Sequence, residues 1–131
     1  MKYIFLCVLS LICCSAFAQP IISNFYKVDL LRVIDGDTFK VNLACKYKLF
    51  CRGVSIRVAG INCAELRSKD EAERQNAKAA KEFTKQFLDN RKITLKNCQK
   101  GKYFRMACDV FADGKDLAAA LLEAGHAVPV E

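Results

Sequence analysis

The feature that most constrains the fold is a change of period along the chain. Phe25 to Ile34 is rich in aliphatic residues and ends in the turn-forming Asp35-Gly36-Asp37. Phe39, Val41 and Leu43 alternate with Thr38, Lys40 and Asn42, the pattern of a half-buried strand. After a loop from Cys45 to Gly53, the stretch Val54 to Ile61 alternates again, with Ile56 and Val58 set against Ser55 and Arg57. Short connections between these three segments predict an antiparallel meander. Lys69 to Asn90 then contains no Gly or Pro, and Ala72, Ala79, Ala80, Phe83 and Phe87 fall on one helical stripe interrupted by Asn76. Lys92 to Asn97 and Arg105 to Phe111 predict two further strands. Ala112-Asp113-Gly114-Lys115 reads as a turn, and Asp116 as the N-cap of a short helix through Ala124 that Gly125 stops.

The expected class is therefore mainly β with helices (α+β). It has five strands, one long helix between the third and fourth, and a short C-terminal helix. Five strands in a small basic domain predict a closed or partly closed barrel of the OB type. That architecture commonly binds nucleic acid but does not by itself establish function.

The first residues read differently. Lys2 supplies a positive charge, Tyr3 to Cys14 is almost unbroken apolar chain, and Ala16-Phe17-Ala18 is a small-residue cleavage site. The apolar run is shorter than the ~20 residues of a membrane-spanning helix. We expect a signal peptide over residues 1–18 and a folded domain over 19–131, exported to the periplasm or secreted. An uncleaved anchor is the alternative; a lipoprotein fits less well, because Ile12 precedes Cys13. Cleavage removes 18 of 131 residues and one lysine, leaving 20 basic and 14 acidic side chains, a net +6. Such a balance favours nucleic acid or an anionic membrane surface as partner. After cleavage no stable membrane association is expected, and the domain is expected to be a monomer.

Three of the eight cysteines fall in the leader, leaving Cys45, Cys51, Cys63, Cys98 and Cys108. Export implies an oxidising compartment, and five is odd, so one thiol is left over. Cys45 and Cys51 flank a loop between strands expected to pair; Cys98 ends one strand and Cys108 lies in the next. We expect Cys45–Cys51 and Cys98–Cys108 bridges, with Cys63 free as a small filler or, alternatively, a redox-sensitive thiol. His126 is the only histidine. A zinc site therefore has few ligands, and nucleases working through paired histidines are excluded.

The candidate chemistry lies in the first turn and three later residues. Asp35 and Asp37, two apart around Gly36, could face one hard cation, although Asp-Gly turns are common without any such role. Arg57 lies mid-strand, Glu65 follows eight residues later, and Arg105 opens another strand. Phosphodiester hydrolysis needs a carboxylate to orient or activate water, a cation, and donors for developing negative charge. Arginine suits the donor role because its planar fork holds two phosphate oxygens.

Arg32-Val33-Ile34-Asp35-Gly36-Asp37-Thr38-Phe39-Lys40-Val41 resembles the first signature of the staphylococcal nuclease (thermonuclease) family. Ile56-Arg57-Val58-Ala59-Gly60-Ile61-Asn62-Cys63-Ala64-Glu65 is similar to the second. Lys102-Tyr103-Phe104-Arg105 followed by Asp109-Val110-Phe111-Ala112-Asp113-Gly114 resembles the third. The resemblance implies an OB-fold nuclease that cleaves DNA and RNA with Ca2+, leaving 3′-phosphate and 5′-hydroxyl ends. It implies that Asp37 binds the metal with Asp35 in support, that Glu65 activates water, and that Arg57 and Arg105 clamp the phosphate. Lys102 and Tyr103 would line the nucleotide site.

Some positions depart from the family pattern. Asn62 stands where the family has a second metal-binding aspartate, so weaker calcium binding is expected; a non-catalytic nucleic-acid-binding barrel is the alternative that follows. Ala64 replaces a proline before Glu65. Phe104 replaces a glycine before Arg105 and would distort the loop if that position needs φ > 0. The sequence given ends before the family's C-terminal helix and its stacking tyrosines, so base stacking is expected to come from elsewhere or to be weak. Lys46, Tyr47, Lys48, Leu49 and Phe50 interleave basic and apolar groups, which suits either nucleic-acid contact or a solvated loop.

Overall fold

The computed structural model describes residues 21–131, so the predicted signal segment lies outside the described residues. The elements run β1 (Ser23–Phe25), β2 (Val28–Asp35), β3 (Thr38–Leu43), α1 (Lys48–Cys51), β4 (Val54–Val58), β5 (Ile61–Cys63), α2 (Glu71–Leu88), β6 (Ile93–Lys100), β7 (Arg105–Ala112), β8 (Lys115–Asp116), α3 (Leu117–Glu123) and β9 (Ala127–Pro129). The protein is thus α+β and mostly strand. Among the described residues no helix is long and apolar enough to cross a membrane.

The main sheet has the order β1-β6-β7-β4-β3-β2, with β8 added on β7, while β5 and β9 form a separate pair. β2, β3 and β4 are an antiparallel meander, and β4 then pairs parallel with β7. The segment expected as one strand from Phe25 is split at Tyr26-Lys27. Its first part pairs with β6 through Ser23↔Cys98 and Phe25↔Leu95, and its second part pairs with β3. β1 therefore takes the edge of β6 that ladder closure by β2 would require. The sheet is open in its hydrogen bonding, so of the closed or partly closed barrel expected the closed form is not present, and the two end strands are linked through Tyr26-Lys27. The long helix also lies between the fifth and sixth strands, not the third and fourth, because the first strand is split in two and Ile61–Cys63 forms a separate strand paired with Ala127–Pro129.

Strand alternation decides what is buried. Phe39, Val41, Ile56, Val58, Leu95, Val110 and Cys108 point inward with Leu117 and Leu121 of α3 and Leu88 of α2. Each large apolar side chain so buried contributes about 1.5–3 kcal/mol. Lys40, Asn42, Ser55 and Arg57 stay partly exposed on the other face.

The buried stripe of α2 differs from the one expected: Ala77, Ala80, Thr84 and Leu88 are buried, while Phe83 and Phe87 are half-buried and Ala72 and Ala79 exposed. Asp70 caps the start of α2 by accepting from the Ala72 N–H at 3.0 Å, and Asp116 caps α3 through the Ala118 N–H at 2.9 Å. Asp113 and Gly114 both have positive φ, as a tight hairpin into β8 requires. Disulfides join Cys45 to Cys51 and Cys98 to Cys108, the expected pairs, and Cys63 is free.

Candidate active site

Asp35 ends β2 and Thr38 begins β3, so the Asp35-Gly36-Asp37 turn sits where two paired strands reverse. Gly36 is not demanded by a positive φ. A Cβ at that position would lie 2.7 Å from the Ala80 Cβ and 3.0 Å from the Cys63 sulfur. The requirement is close approach: small residues on α2 let the helix lie against the turn. One turn further along, buried Thr84 donates its hydroxyl to the Gly36 carbonyl at 2.6 Å. Sequence reasoning missed Thr84. A threonine in a helix interior, four residues after an alanine of the stripe, was the available signal.

Asp37 is buried, with 6% of its surface exposed. One carboxylate oxygen meets Arg57 Nη1 at 2.6 Å and accepts from the Cys63 N–H at 2.8 Å. The other accepts from the Thr38 hydroxyl at 2.9 Å. Burial of this charge is therefore compensated by three donors, one of them cationic. The second arm of the Arg57 guanidinium donates to the Asn62 side-chain oxygen and to the Ile61 carbonyl, the latter at 3.2 Å. Arg57 thus ties Asp37 to Asn62, the position where the resemblance expected a second aspartate.

A cavity of about 340 Å³ brings together Asp35, Asp37, Thr38, Arg57, Asn62, Cys63, Glu65 and Arg105. Every proposed catalytic and metal-side residue lines it. Lys102 and Tyr103 do not. Lys102 joins Arg57 and Arg105 in a neighbouring cavity of about 280 Å³, whereas Tyr103 lies in a separate groove. The position before Arg105 does have a positive φ, at Phe104 (58°), and so does Tyr103 (57°). The turn keeps its hydrogen bond, Arg105 N–H to the Lys102 carbonyl at 3.2 Å.

The cavity carries a negative bias. Partial burial, followed by repulsion from Asp37 and Glu65, raises the Asp35 carboxyl above its ordinary value; Lys81 and the Leu66 N–H offset part of this. Among the described residues no three His, Cys, Asp or Glu side chains form a preformed metal cage. Apart from the Cys63 thiol, whose raised value disfavours the thiolate, the potential ligands lining the cavity are oxygens: Asp35, Asp37, the Asn62 amide and Glu65. That set suits a hard cation completed by water, and does not suit a soft one.

Cys63 is half-buried under the turn. Burial, and then the Asp37 carboxylate, push its thiol up to about 12, which disfavours the reactive thiolate at neutral pH. His126 packs its ring 5.1 Å from that of Phe83 and does not line the cavity of Asp35, Asp37 and Glu65.

The family model for staphylococcal nuclease homologues matches residues 55–131. No curated protein matches the chain. The matched span takes in the strand of Arg57, the loop of Glu65 and the strand of Arg105, and begins downstream of the Asp35-Asp37 turn. Since it covers more than half of the sequence, this chain belongs to the staphylococcal nuclease homologue family.

Proposed function

We propose that the chain is an exported, calcium-dependent phosphodiesterase that hydrolyses DNA and RNA and leaves 3′-phosphate and 5′-hydroxyl ends. The observation that carries this reading is the single cavity in which Glu65, Arg57 and Arg105 meet the two aspartates of the turn. A domain that only binds nucleic acid has no use for a carboxylate cluster beside its arginines, since like charge repels phosphate.

Glu65 is exposed and free of any side-chain partner among the described residues, which suits a base that orients a water for attack on phosphorus. Arg105 offers its guanidinium to the phosphate oxygens as negative charge develops. Arg57 does the same with whatever part of its fork a phosphate draws from Asn62. Glu65 takes a proton from the water as its oxygen bonds to phosphorus, the phosphorus–O5′ bond breaks, and O5′ leaves as an alcohol after taking a proton from solvent. Asp35, Asp37 and Asn62 would hold the calcium ion, which supplies charge neutralisation for the phosphate. Asn62, being neutral and bonded to Arg57, supports weaker calcium affinity than an aspartate would.

Export rests on the N-terminal sequence pattern alone, as does the proposed domain start at residue 19. The domain is proposed to act as a monomer. Incubating the oxidised chain from residue 19 with single-stranded DNA, in calcium and in chelator, tests the reading. Calcium-dependent cutting with 3′-phosphate ends supports it. Tight binding without cutting at millimolar calcium would assign the chain to non-catalytic nucleic-acid binding instead.

A further inference from the structure

On the outer face of the sheet, Lys40, Ser55 and Arg105 stand in register across β3, β4 and β7. They floor a groove of about 680 Å³, of which the reading above uses only Arg105. Its walls come from two unrelated places. One is the connection between β3 and β4, which supplies Leu49 and Phe50 from inside its disulfide loop and Arg52 just after it. The other is the turn before β7, which supplies Tyr103 and Phe104.

The walls present aromatic rings to solvent: Phe50 is 76% exposed, Tyr103 83% and Phe104 96%. Tyr103 and Phe104 hold consecutive left-handed backbone conformations, which bulky side chains adopt only at a cost. Neither ring is buried in return, since both face water. The Arg105 guanidinium lies 5.8 Å from the Tyr103 ring centre. Lys40, Arg52, Lys100 and Arg105 line the groove, and no carboxylate does.

We propose that this groove is a second subsite for single-stranded nucleic acid, holding nucleotides that flank the cleaved phosphate. Phe50 and Phe104 stack on bases, and Arg52 and Lys100 follow the backbone. Aromatic faces with interleaved cations and no acidic group match a polyanion whose bases are unpaired. Continuity decides between that ligand and an anionic membrane: Arg105 lines both this groove and the cavity of Asp35, Asp37 and Glu65. A strand held at one site therefore reaches the other.

The subsite rests on the nuclease reading for its biological use, but its binding can be read separately. The test compares wild type with Phe50→Ala/Phe104→Ala, and with Arg52→Gln as a second variant that leaves the rings intact. Fluorescence anisotropy in chelator measures affinity for a single-stranded oligodeoxythymidylate of about 20 nucleotides, longer than one small site holds. The double variant should bind it about tenfold or more weakly, and Arg52→Gln should lower the salt dependence of binding. In calcium, the loss in kcat/KM should fall on the long oligonucleotide and spare a trinucleotide. Unchanged affinity for the long strand in both variants overturns the subsite. So does a loss of binding to phosphatidylglycerol vesicles that leaves oligonucleotide affinity intact, which would assign the groove to membrane. If wild type cuts neither substrate, the nuclease reading fails while the anisotropy result still decides the groove.

Discussion

Replacing Gly36 by alanine tests whether α2 sets the position of the two aspartates. The added methyl would sit 2.7 Å from the Ala80 Cβ and 3.2 Å from the Ala80 carbonyl carbon, so the helix or the turn must move. Overpacking of this kind costs about 1–3 kcal/mol. For a domain near 110 residues each kcal/mol lowers Tm by about 4 °C, so Gly36→Ala should melt about 4–12 °C lower. Ala80→Gly alone should cost about 1 kcal/mol through helix propensity. Together the two should be less harmful than their sum, because the second change removes the nearest atom of the clash. The Ala80 backbone carbon and the Cys63 sulfur remain, so relief is partial. Thermal melts of the four proteins, oxidised and in chelator, give the coupling directly. Costs that add to within about 0.5 kcal/mol would show that no such contact exists. Cleavage rates should follow the same cycle, since a displaced turn shifts Asp35 and Asp37 relative to Glu65.

Other consequences are open to measurement. Thr84→Val should cost about 1–3 kcal/mol in urea unfolding, because it leaves the buried Gly36 carbonyl without its 2.6 Å partner. Calcium should stabilise the fold by about 2.7 kcal/mol at one hundred times its Kd, and Asn62→Asp should reach that point at roughly tenfold lower calcium; an unchanged Tm in both proteins would contradict the proposed ligands. Asp35, whose folded value is raised, contributes stability that is fully present below its ordinary 3.8 and is lost as pH rises through the raised value. In chelator, Asp35→Asn should therefore be more stable than wild type at neutral pH, with the difference vanishing in acid.

The meander, the long helix and the short capped helix were legible because each rests on local pattern: alternation at Phe39-Val41-Leu43, a run without Gly or Pro, Asp116 ahead of an apolar segment. Both disulfides were legible for a similar reason, each cysteine pair flanking or occupying strands expected to be neighbours. The split at Tyr26-Lys27 was not, since its cause is the free edge of β6, some seventy residues away in sequence. Period alone also misplaced the buried face of α2. The helix is rotated to bring Ala80 and Thr84 onto the turn, a contact made between segments more than forty residues apart.

The site divides in the same way. Asp35, Asp37, Arg57, Glu65 and Arg105 were readable as residue types in order, and they do meet in one cavity. That Arg57 spends its fork on Asp37 and Asn62 depends on side-chain geometry that no spacing reveals. The separation of Tyr103 from Lys102 likewise follows from two left-handed residues in succession.

The central claim is that Glu65 and the cation-binding oxygens act together on a phosphodiester. Its most direct test is the single-turnover cleavage rate of an end-labelled single-stranded oligonucleotide, for wild type and Glu65→Gln, with and without calcium. Loss of a positioned base should slow wild-type calcium-dependent cleavage about 10²–10⁴-fold while leaving oligonucleotide affinity and Tm near wild type. Equal rates in the two proteins, or cleavage undiminished in chelator, would contradict it.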